Sequence, residues 1–216
     1  MCDSAVIVLN GKLIAGSNDY KKLINFEDRI VIGVDGGSLL LEEIGFLPEL
    51  ILGDLDSLTG YKIKEYRKKG IKIIEYPQEK DETDGELAVD YCLSHHINDL
   101  IITASLGGRF DQQLANVFLL EYASKQGINA IIKEPGIEIG IVKGEKKFND
   151  KKGMGLSLLP LSKQVTDVDI SGCKYKLDKA RLLRYKTRGI SNLIESESAS
   201  VRIKNGVLVY ILRNNT

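Results

Sequence analysis

The sequence predicts an α/β fold, with a doubly wound, mostly parallel, Rossmann-like sheet followed by a C-terminal antiparallel β-sandwich domain. Over the first 134 residues, nearly continuous apolar runs alternate with helix-length segments, as in parallel sheets whose strands are buried on both faces. Beyond Pro135-Gly136 the long amphipathic segments end, and short alternating runs separated by turn residues take over. We therefore predict two domains, spanning residues 1–134 and 135–216.

The first domain is predicted to hold six strands joined by five helices. The apolar runs that predict strands are Ala5–Leu9, Arg29–Val34, Leu50–Leu52, Ile71–Glu75, Leu100–Thr103 and Ala130–Ile132. The segments that predict helices are Asp19–Phe26, Ser38–Ile44, Gly60–Lys69, Asp84–Ser94 and Asp111–Gln126. Strict alternation of strand and helix favours right-handed crossovers and a parallel sheet.

The second domain is predicted from short runs of alternating hydrophobicity. These runs are Ile137–Val142, Leu156–Leu159, Val165–Ile170, Ser200–Lys204 and Val207–Leu212. Asn205-Gly206 separates the last two runs, which predicts a two-residue β-hairpin. The basic run Lys143–Lys152 is interpreted as a solvated hairpin turn.

Composition narrows the possible partners and the compartment. Thirty basic residues balance thirty acidic ones, so broad affinity for nucleic acid or for a membrane surface is not expected. The three cysteines form no CxxC pair, and the first apolar run, Ala5–Leu9, is too short for a signal peptide or a membrane span. These observations predict a cytoplasmic protein without zinc-ribbon or dithiol chemistry.

Aspartates are concentrated on four turns, each of which follows a predicted strand. The turns are Val34–Gly37, Gly53–Ser57, Lys80–Asp84 and Gly107–Asp111. The carboxyl ends of parallel strands meet at one edge of a sheet, where ligands of such folds bind. Several carboxylates together with a few cations indicate a polyphosphate held through a metal ion.

Two of the turns have competing interpretations. Asp54 and Asp56 alternate along an extended chain, so their carboxylates point the same way and can share a cation; otherwise the segment is a polar turn capped by Ser57. In the earlier turn, Gly36 and Gly37 would allow close approach to an anion, or Asp35 would simply cap the next helix.

The third turn is partly explained by structure alone. Thr83 and Glu86 have the spacing of a capping box for the next helix. That spacing leaves Asp81 and Asp84 beside Lys80 unexplained, and these groups suit a phosphate, its metal and a hydroxyl nucleophile.

In the fourth turn, Arg109 has the chemistry to grip phosphate oxygens with two bonds, or else it is solvated while Asp111 caps a helix. Neither a P-loop nor a GxGxxG fingerprint is present.

In this order, the four motifs resemble the thiamine pyrophosphokinase family. The matching segments are DGG at 35–37, GDLDS at 53–57, KDETD at 80–84 and GGRFD at 107–111. The second domain is similar to the thiamine-binding part of the family at 158–161, 172–177, 189–192 and 201–209. The resemblance thus covers nearly the whole chain.

The resemblance implies an enzyme that moves the terminal pyrophosphate of ATP onto the hydroxyl of thiamine, giving thiamine diphosphate and AMP. It implies that residues 1–134 bind ATP and Mg²⁺ and that residues 135–216 bind thiamine. It further implies a homodimer in which each active site is shared between subunits.

Site residues are assigned by the same resemblance. Metal binding is expected of Asp54, Asp56 and Asp81, and Asp84 is expected either to bind metal or to accept the proton of the thiamine hydroxyl. With Arg109, these four aspartates form the expected catalytic set. The expected binding residues for nucleotide and thiamine are Asp35, Gly36, Gly37, Lys80, Thr83, Gly108, Arg109, Asp111, Ser191 and Asn192. Ser191 and Asn192 are expected to act from the partner subunit.

One departure from the family pattern and two rival functions stay open at this point. Gln112 stands where the family commonly has histidine, and glutamine cannot titrate near neutral pH. The rival enzyme is a pyrophosphokinase for another hydroxymethyl heterocycle, such as a pterin. The rival from another class is a regulator that binds nucleotide or thiamine without catalysis.

Overall fold

The computed structural model describes residues 3–23 and 28–214. The chain divides into two compact units, Met1–Pro135 and Gly136–Thr216. Unit 1 is an α/β layer structure and unit 2 is a β-sandwich. The predicted fold class is confirmed by these architectures and by the structural relatives reported below.

In unit 1, the described residues form the strands and helices that the hydrophobic pattern predicts. The strands are β1 (Ser4–Val8), β2 (Ile30–Val34), β3 (Leu50–Gly53), β4 (Lys72–Glu75), β5 (Asp99–Thr103) and β6 (Asn129–Glu134). The helices are α1 (Ser17–Leu23), α2 (Gly37–Ile44), α3 (Gly60–Lys68), α4 (Asp84–Ser94) and α5 (Phe110–Lys125). The predicted end of the first helix at Phe26 lies outside the described residues.

The six strands of unit 1 are all parallel, in the order β6-β5-β1-β2-β3-β4. The chain builds outward from β1 through β4 and then returns to place β5 on the other side of β1. This reversal leaves a crevice beyond the carboxyl ends of β1 and β5, which is where such sheets bind ligands. Val6, Ile7 and Ile32 are fully buried, as expected of central strands covered on both faces.

Helix boundaries follow ordinary capping chemistry. Thr59 and Thr83 each accept a hydrogen bond from the backbone N–H three residues later, at 3.2 Å, so both helices begin at a satisfied N-cap. α2 ends at Ile44 and is capped by Gly45, whose φ of 91° is a left-handed conformation that glycine adopts easily. Within the described residues, no helix is both long and apolar enough to cross a membrane.

The described residues of unit 2, 136–214, form two antiparallel groups of four strands each. Its strands are β7 (Ile137–Val142), β8 (Glu145–Asn149), β9 (Gly155–Pro160), β10 (Gln164–Ser171), β11 (Leu177–Leu183), β12 (Asn192–Leu193), β13 (Ser198–Arg202) and β14 (Leu208–Arg213). One sheet has the order β12-β9-β14-β7 and the other β11-β10-β13-β8. Leu158 and Tyr210 of the first sheet and Val165 and Val201 of the second share one buried core, so the predicted sandwich is present.

The predicted hairpin at Asn205-Gly206 is wrong. β13 pairs with β8 and β10, whereas β14 pairs with β7 and β9, so the chain crosses between the sheets here. Backbone pairing of Asn205 with Thr166 at 3.1 Å, and a bond from the N–H of Val207 to Ser162 Oγ at 3.0 Å, satisfy the turn. The turn residues were identified correctly, but burial in two different sheets decided the strand partners.

The interpretation of Lys143–Lys152 as a hairpin turn is also wrong. Its central residues form β8, which pairs with β13 over five residues. Phe148 points into the core and is 3% exposed, and its neighbour Lys147 is exposed. Lys146, two residues from Phe148 and therefore on the same face, is half-buried with its Nζ 5.1 Å from the ring centroid of Tyr210. A single buried side chain on an edge strand gives a weak hydrophobic pattern, which the high charge of the run conceals.

Candidate active site

A cavity of about 500 Å³ lies at the carboxyl edge of the parallel sheet in unit 1. Its polar lining comes from the segments after β1 to β5, from the first turn of α4 and from the first two turns of α5. These lining residues are Asn10, Asp35, Asp54, Asp56, Gln78, Lys80, Glu82, Thr83, Asp84, Ser105, Gln112 and Asn116. Three of the four predicted motifs therefore contribute acidic or basic side chains to one cavity.

Three carboxylates converge within this cavity. Asp35, Asp54 and Asp56 each offer an oxygen that lies within 4.8 Å of the other two. Asp35 is buried, Asp54 is half-buried and Asp56 is exposed, so the cluster runs from the sheet edge to the solvent. Carboxylates this close repel one another unless a cation lies between them, and Mg²⁺ prefers hard oxygen ligands. The donor set thus fits a divalent cation.

Asp35 is held by bonds that orient its carboxylate toward the cluster. Its oxygens accept from Asn10 Nδ2 at 2.9 Å and from the N–H of Ser57 at 3.3 Å. A φ of 47° and a bond from its N–H to Leu52 O at 2.9 Å set the turn itself. The side chain of Asp35 does not cap α2, because the N-cap residue is Gly36, no side-chain cap bond is present, and the Asp35 oxygens bond to Asn10 and Ser57. Asp35 therefore serves the cavity rather than the helix.

The two glycines after Asp35 serve packing between α2 and β1. A Cβ on Gly37 would lie 2.0 Å from Val8 O, and one on Gly36 would lie 2.2 Å from Asn10 Oδ1. Neither glycine lines the cavity. Their role in binding stays a prediction, and their observed role is to let the helix begin against the end of a strand.

Lys80 and Asp84 form a second charged pair in the cavity. Lys80 Nζ lies 3.1 Å from Asp84 Oδ1 and donates to Pro77 O at 2.9 Å. Burial raises the pKa of Asp84, Lys80 opposes that rise, and the charges of Asp54 and Asp35 add to it. Thr83 lines the cavity while capping α4. Asp81, by contrast, is exposed and is not part of the lining, so its metal role stays a prediction.

Arg109 and Asp111 lie on the solvent side of the fourth motif and do not line the cavity. Their side chains are 71% and 64% exposed, and they form a two-point ion pair with distances of 2.5 and 3.2 Å. Arg109 lowers the pKa of Asp111, and Asp111 raises that of Arg109. Gly108 is exposed with a φ of 93°, a conformation suited to glycine. The guanidinium already uses the bidentate geometry that it would offer a phosphate.

In unit 2, Asn192 has a structural task that the sequence did not indicate. Its amide accepts from the N–H of Tyr175 at 2.9 Å and donates to Tyr175 O at 2.7 Å. Asn192 is 7% exposed, whereas Tyr175 is 58% exposed. Ser191 has a φ of 60° and donates its N–H to Ser157 Oγ at 3.1 Å. Direct contact of Ser191 or Asn192 with thiamine stays a prediction.

Asn10 and Ser105 are cavity residues that the sequence reasoning missed. Asn10 Nδ2 donates to Asp35 Oδ2 and to Ser57 Oγ, both at 2.9 Å, and so connects two of the motifs. Ser105 lies two residues after the end of β5, next to Ala104, whose φ is 51°. Both polar residues follow apolar strands, so the rule that located the aspartates would have located them as well.

Comparison with known proteins identifies the chain. The thiamin pyrophosphokinase catalytic domain matches residues 20–132, and the thiamin pyrophosphokinase vitamin B1 binding domain matches residues 139–208. The thiamine pyrophosphokinase of Bacillus subtilis (strain 168) is 30% identical over 193 residues, covering 86% of this chain and 87% of the relative. The chain belongs to the thiamine pyrophosphokinase family. Thiamine pyrophosphokinase 2 of rice (Oryza sativa subsp. japonica) is 26% identical over 182 residues, covering 79% of this chain and 68% of that protein.

Solved structures agree with this assignment. The crystal structure of thiamine pyrophosphokinase from Bacillus subtilis superposes with a TM-score of 0.87 at 27% identity, covering 99% of this chain and all of that one. Thiamin pyrophosphokinase from Candida albicans, at 18% identity, shares the fold with a TM-score of 0.82, over 98% of this chain and 89% of that one. Thiamine pyrophosphokinases are ATP-dependent diphosphotransferases, so the predicted enzyme class and function are confirmed.

The raised pKa of Asp84 leads to a prediction about stability. The pKa of Asp84 in the folded protein lies above its ordinary value of 3.8, so the ionised carboxyl destabilises the folded protein at neutral pH. This destabilisation disappears as the pH falls through the raised pKa toward 3.8. We expect Asp84→Asn to raise the melting temperature of the ligand-free protein at pH 7, by on the order of a few degrees.

The measurement is thermal unfolding in chelator at several pH values. The advantage of Asp84→Asn over the wild type should shrink as the pH decreases. Asp111→Asn is the control, because Arg109 lowers the pKa of that carboxyl and its loss should not stabilise the protein. A lower melting temperature for Asp84→Asn at pH 7 would contradict the prediction.

Proposed function

We propose that this member of the thiamine pyrophosphokinase family carries out its reaction in the unit 1 cavity, with Mg²⁺ as the cofactor of ATP. The thiamine hydroxyl oxygen attacks the β-phosphorus of ATP, the bond from that phosphorus to the α-β bridging oxygen breaks, and AMP leaves. The convergence of Asp35, Asp54 and Asp56 beside the Lys80–Asp84 pair is the observation that supports this proposal.

Asp54 and Asp56 are the proposed metal ligands, and the geometry favours Asp35 as their third carboxylate over Asp81. Asp35 lies within the cluster and the cavity lining, whereas Asp81 belongs to neither. When bound, Mg²⁺ offsets the negative charge that builds up on the phosphate oxygens. The protein itself supplies the rigid turns that hold the carboxylates in place, chiefly through Asn10.

Asp84 is proposed to accept the proton of the thiamine hydroxyl. Burial raises the pKa of Asp84, which makes its carboxylate a better base than an ordinary aspartate. Lys80, with a side chain only 12% exposed, supplies a positive charge to the phosphates from the same place. The N-terminus of α4 at Thr83 adds backbone N–H groups that favour an anion.

Arg109 is proposed to break its ion pair with Asp111 and to bind a phosphate group of the ligand instead. Gly108, with a φ of 93°, gives the turn the conformational freedom for this exchange. The exchange is favourable because an exposed ion pair is weakly stabilised in water, while a polyphosphate offers more charge. Gln112 faces the cavity from the first turn of α5 and is proposed to donate a hydrogen bond to the nucleotide.

Thiamine is proposed to meet unit 2 through exposed apolar side chains, among them Ile190, which directly precedes Ser191, and Tyr175, whose backbone bonds to Asn192. Tyr175, Tyr185 and Ile190 are 58%, 75% and 48% exposed. Asn192 orders the segment that carries Tyr175, so its contribution to binding would act through that tyrosine. Apolar and aromatic surface of this kind suits a flat heterocyclic ring.

A homodimer is proposed because unit 1 exposes an apolar stripe on α5. Phe110, Leu114 and Phe118 recur every four residues, so they share one face of the helix, and they are 76%, 44% and 50% exposed. Contiguous exposed apolar side chains are typical of protein interfaces. The same helix lines the cavity through Gln112 and Asn116, so a partner on this face would lie near the site.

The cytoplasmic location stays a proposal. Cys92 and Cys173 are free and buried. Burial raises the pKa of Cys92 to about 12 and, with a smaller effect from Glu195, that of Cys173 to about 11, so both thiols are unreactive at neutral pH. Neither thiol requires an oxidising compartment.

The acceptor is tested by measuring AMP formation from ATP and Mg²⁺. We expect AMP to appear with thiamine, matched by an equal amount of thiamine diphosphate, and not with a hydroxymethylpterin. AMP formed only with the pterin would change the acceptor. Tight ATP binding without AMP from either acceptor would point to a regulator instead.

Asp56→Asn should reduce turnover by at least ~10²-fold, because it removes a charge that holds the metal near the transition state. Glu43→Gln, which removes an exposed carboxylate of α2 outside the cavity, is the matched control and should retain its activity. Steady-state rates at saturating ATP and thiamine give the comparison. Near wild-type turnover of Asp56→Asn would refute its assignment as a metal ligand.

The dimer is tested by Phe118→Asp, which places a charge on the apolar stripe without altering the cavity lining. We expect the wild type to sediment as a dimer and Phe118→Asp as a monomer with reduced turnover. Tyr61→Asp is the control, because Tyr61 is 78% exposed on α3 and should not affect assembly. A wild-type monomer with full activity would overturn the shared site.

A further inference from the structure

Glu134 is a fully buried carboxylate at the end of β6, and five donors surround it. Its Oε1 accepts from the N–H of Ser105 at 2.8 Å, from Ser105 Oγ at 3.1 Å and from the N–H of Leu106 at 3.4 Å. Its Oε2 accepts from Tyr20 OH at 2.7 Å and from Thr103 Oγ1 at 3.4 Å. Both oxygens therefore act as acceptors of several bonds.

Burying a carboxylate is unfavourable unless its surroundings replace the water that it loses. The described contacts of Glu134 are backbone N–H groups and hydroxyls rather than a lysine or arginine. A purely structural role in such a core is commonly filled by well-packed apolar side chains. Because packing alone does not require a carboxylate here, the segments that carry its five donors indicate what Glu134 holds in place.

Three of the five bonds go to the turn that follows β5. The preceding residue, Ala104, has a φ of 51°, which is an unfavourable left-handed conformation for alanine. This conformation directs Ser105 and Gly107 to the cavity, which both of them line. Asn116 of α5, also in the lining, donates to Ser105 O at 2.9 Å. Glu134 thus stabilises a strained turn that forms one wall of the cavity.

A fourth bond connects Glu134 to the segment after β1. Burial, followed by the bond to Glu134, raises the pKa of Tyr20, so its hydroxyl keeps its proton and donates to the carboxylate. The same hydroxyl accepts from the N–H of Ile14 at 3.1 Å. Nearby, the N–H of Gly11, which lines the cavity, donates to Ala104 O at 3.0 Å. The segments after β1 and β5 border the crevice where the strand order reverses, and Glu134 bonds to both of them, directly or through Tyr20.

We infer that Glu134 is a positioning residue for pyrophosphate transfer, which holds the Ser105–Gly108 turn and the Gly11–Ile14 segment in the arrangement that the bound nucleotide requires. This inference rests on the proposed function of the cavity. Glu134 does not line the cavity, so it acts only through the residues that it holds. Loss of Glu134 should therefore lower kcat more than it raises KM, because a displaced cavity wall disturbs the geometry of the reacting groups more than the initial binding.

Glu134→Gln keeps the shape of the side chain but replaces one acceptor oxygen by an NH₂ donor. In either orientation, the new NH₂ group faces hydroxyl or backbone groups that donate to Glu134 in the wild type, so donor meets donor. The hydroxyl of Tyr20 already accepts a bond from the N–H of Ile14, which makes it a poor acceptor for the new group. We expect kcat to fall by at least ~10-fold, toward the ~10²-fold loss that a displacement of about 1 Å causes. The KM values for ATP and thiamine should change much less than kcat.

Glu138→Gln is the matched control. Glu138 accepts a hydrogen bond from the hydroxyl of buried Tyr210 at 2.8 Å, as Glu134 does from Tyr20. Glu138 lies in unit 2 and does not line the cavity. Its kcat should equal that of the wild type. Amide hydrogen exchange of Ser105 and Leu106 provides a local measurement, and it should accelerate in Glu134→Gln and not in Glu138→Gln.

The outcomes separate the two proposals. A wild-type protein that forms no AMP with thiamine refutes the proposed function, and this inference with it. An active wild type together with a folded Glu134→Gln protein of unchanged kcat refutes the inference alone, even if the variant melts at a lower temperature. If Glu134→Gln does not fold, then Tyr20→Phe and Thr103→Val, which each remove one donor to Oε2, replace it. Unchanged kcat in both would refute the inference.

Discussion

The parallel arrangement of the six strands in unit 1 is the constraint on which the rest of the site depends. Parallel strands end at the same edge, so the turns after β1 to β5 open onto one crevice and their polar side chains meet there. The return of the chain to place β5 beside β1 makes that crevice deep enough for a cavity of about 500 Å³. Residues far apart in the sequence, such as Asn10 and Ser57, then become hydrogen-bonding neighbours.

The same convergence creates an electrostatic conflict. Asp35, Asp54 and Asp56 crowd three carboxylates together, and the charges of Asp54 and Asp35 add to the raised pKa of Asp84. Among the described residues, Lys80 forms an ion pair with Asp84, and Asp35 accepts hydrogen bonds from Asn10 and from the N–H of Ser57. A fold that keeps such a cluster trades stability for the ability to bind a cation and a polyphosphate. This trade is the physical reason for regarding the cluster as a functional site.

In each unit, a buried polar group outside the cavity lining satisfies backbone groups of an irregular segment. Glu134 satisfies a strained turn from inside the core of unit 1, and Asn192 orders the segment of Tyr175 in unit 2. In both cases a buried acceptor meets backbone N–H groups that no regular strand or helix would satisfy. The two family domains match residues 20–132 and 139–208, so each of these buried polar groups lies in or next to a segment that belongs to a family domain.

The sequence by itself determined the strands and helices of unit 1, because buried parallel strands are continuous apolar runs, and it indicated that the polar turns after these strands meet at one edge of the sheet. Which carboxylates meet was decided by the tertiary structure, since the φ of 47° at Asp35 aims that side chain at Asp54 and Asp56 while Asp81 remains exposed. Strand partners in unit 2 were likewise decided in three dimensions, because local turn signals at Asn205-Gly206 do not specify which sheet the next strand joins. The role proposed for Glu134 also required the structure, because an acid at the end of an apolar strand is buried or solvated according to what packs against it.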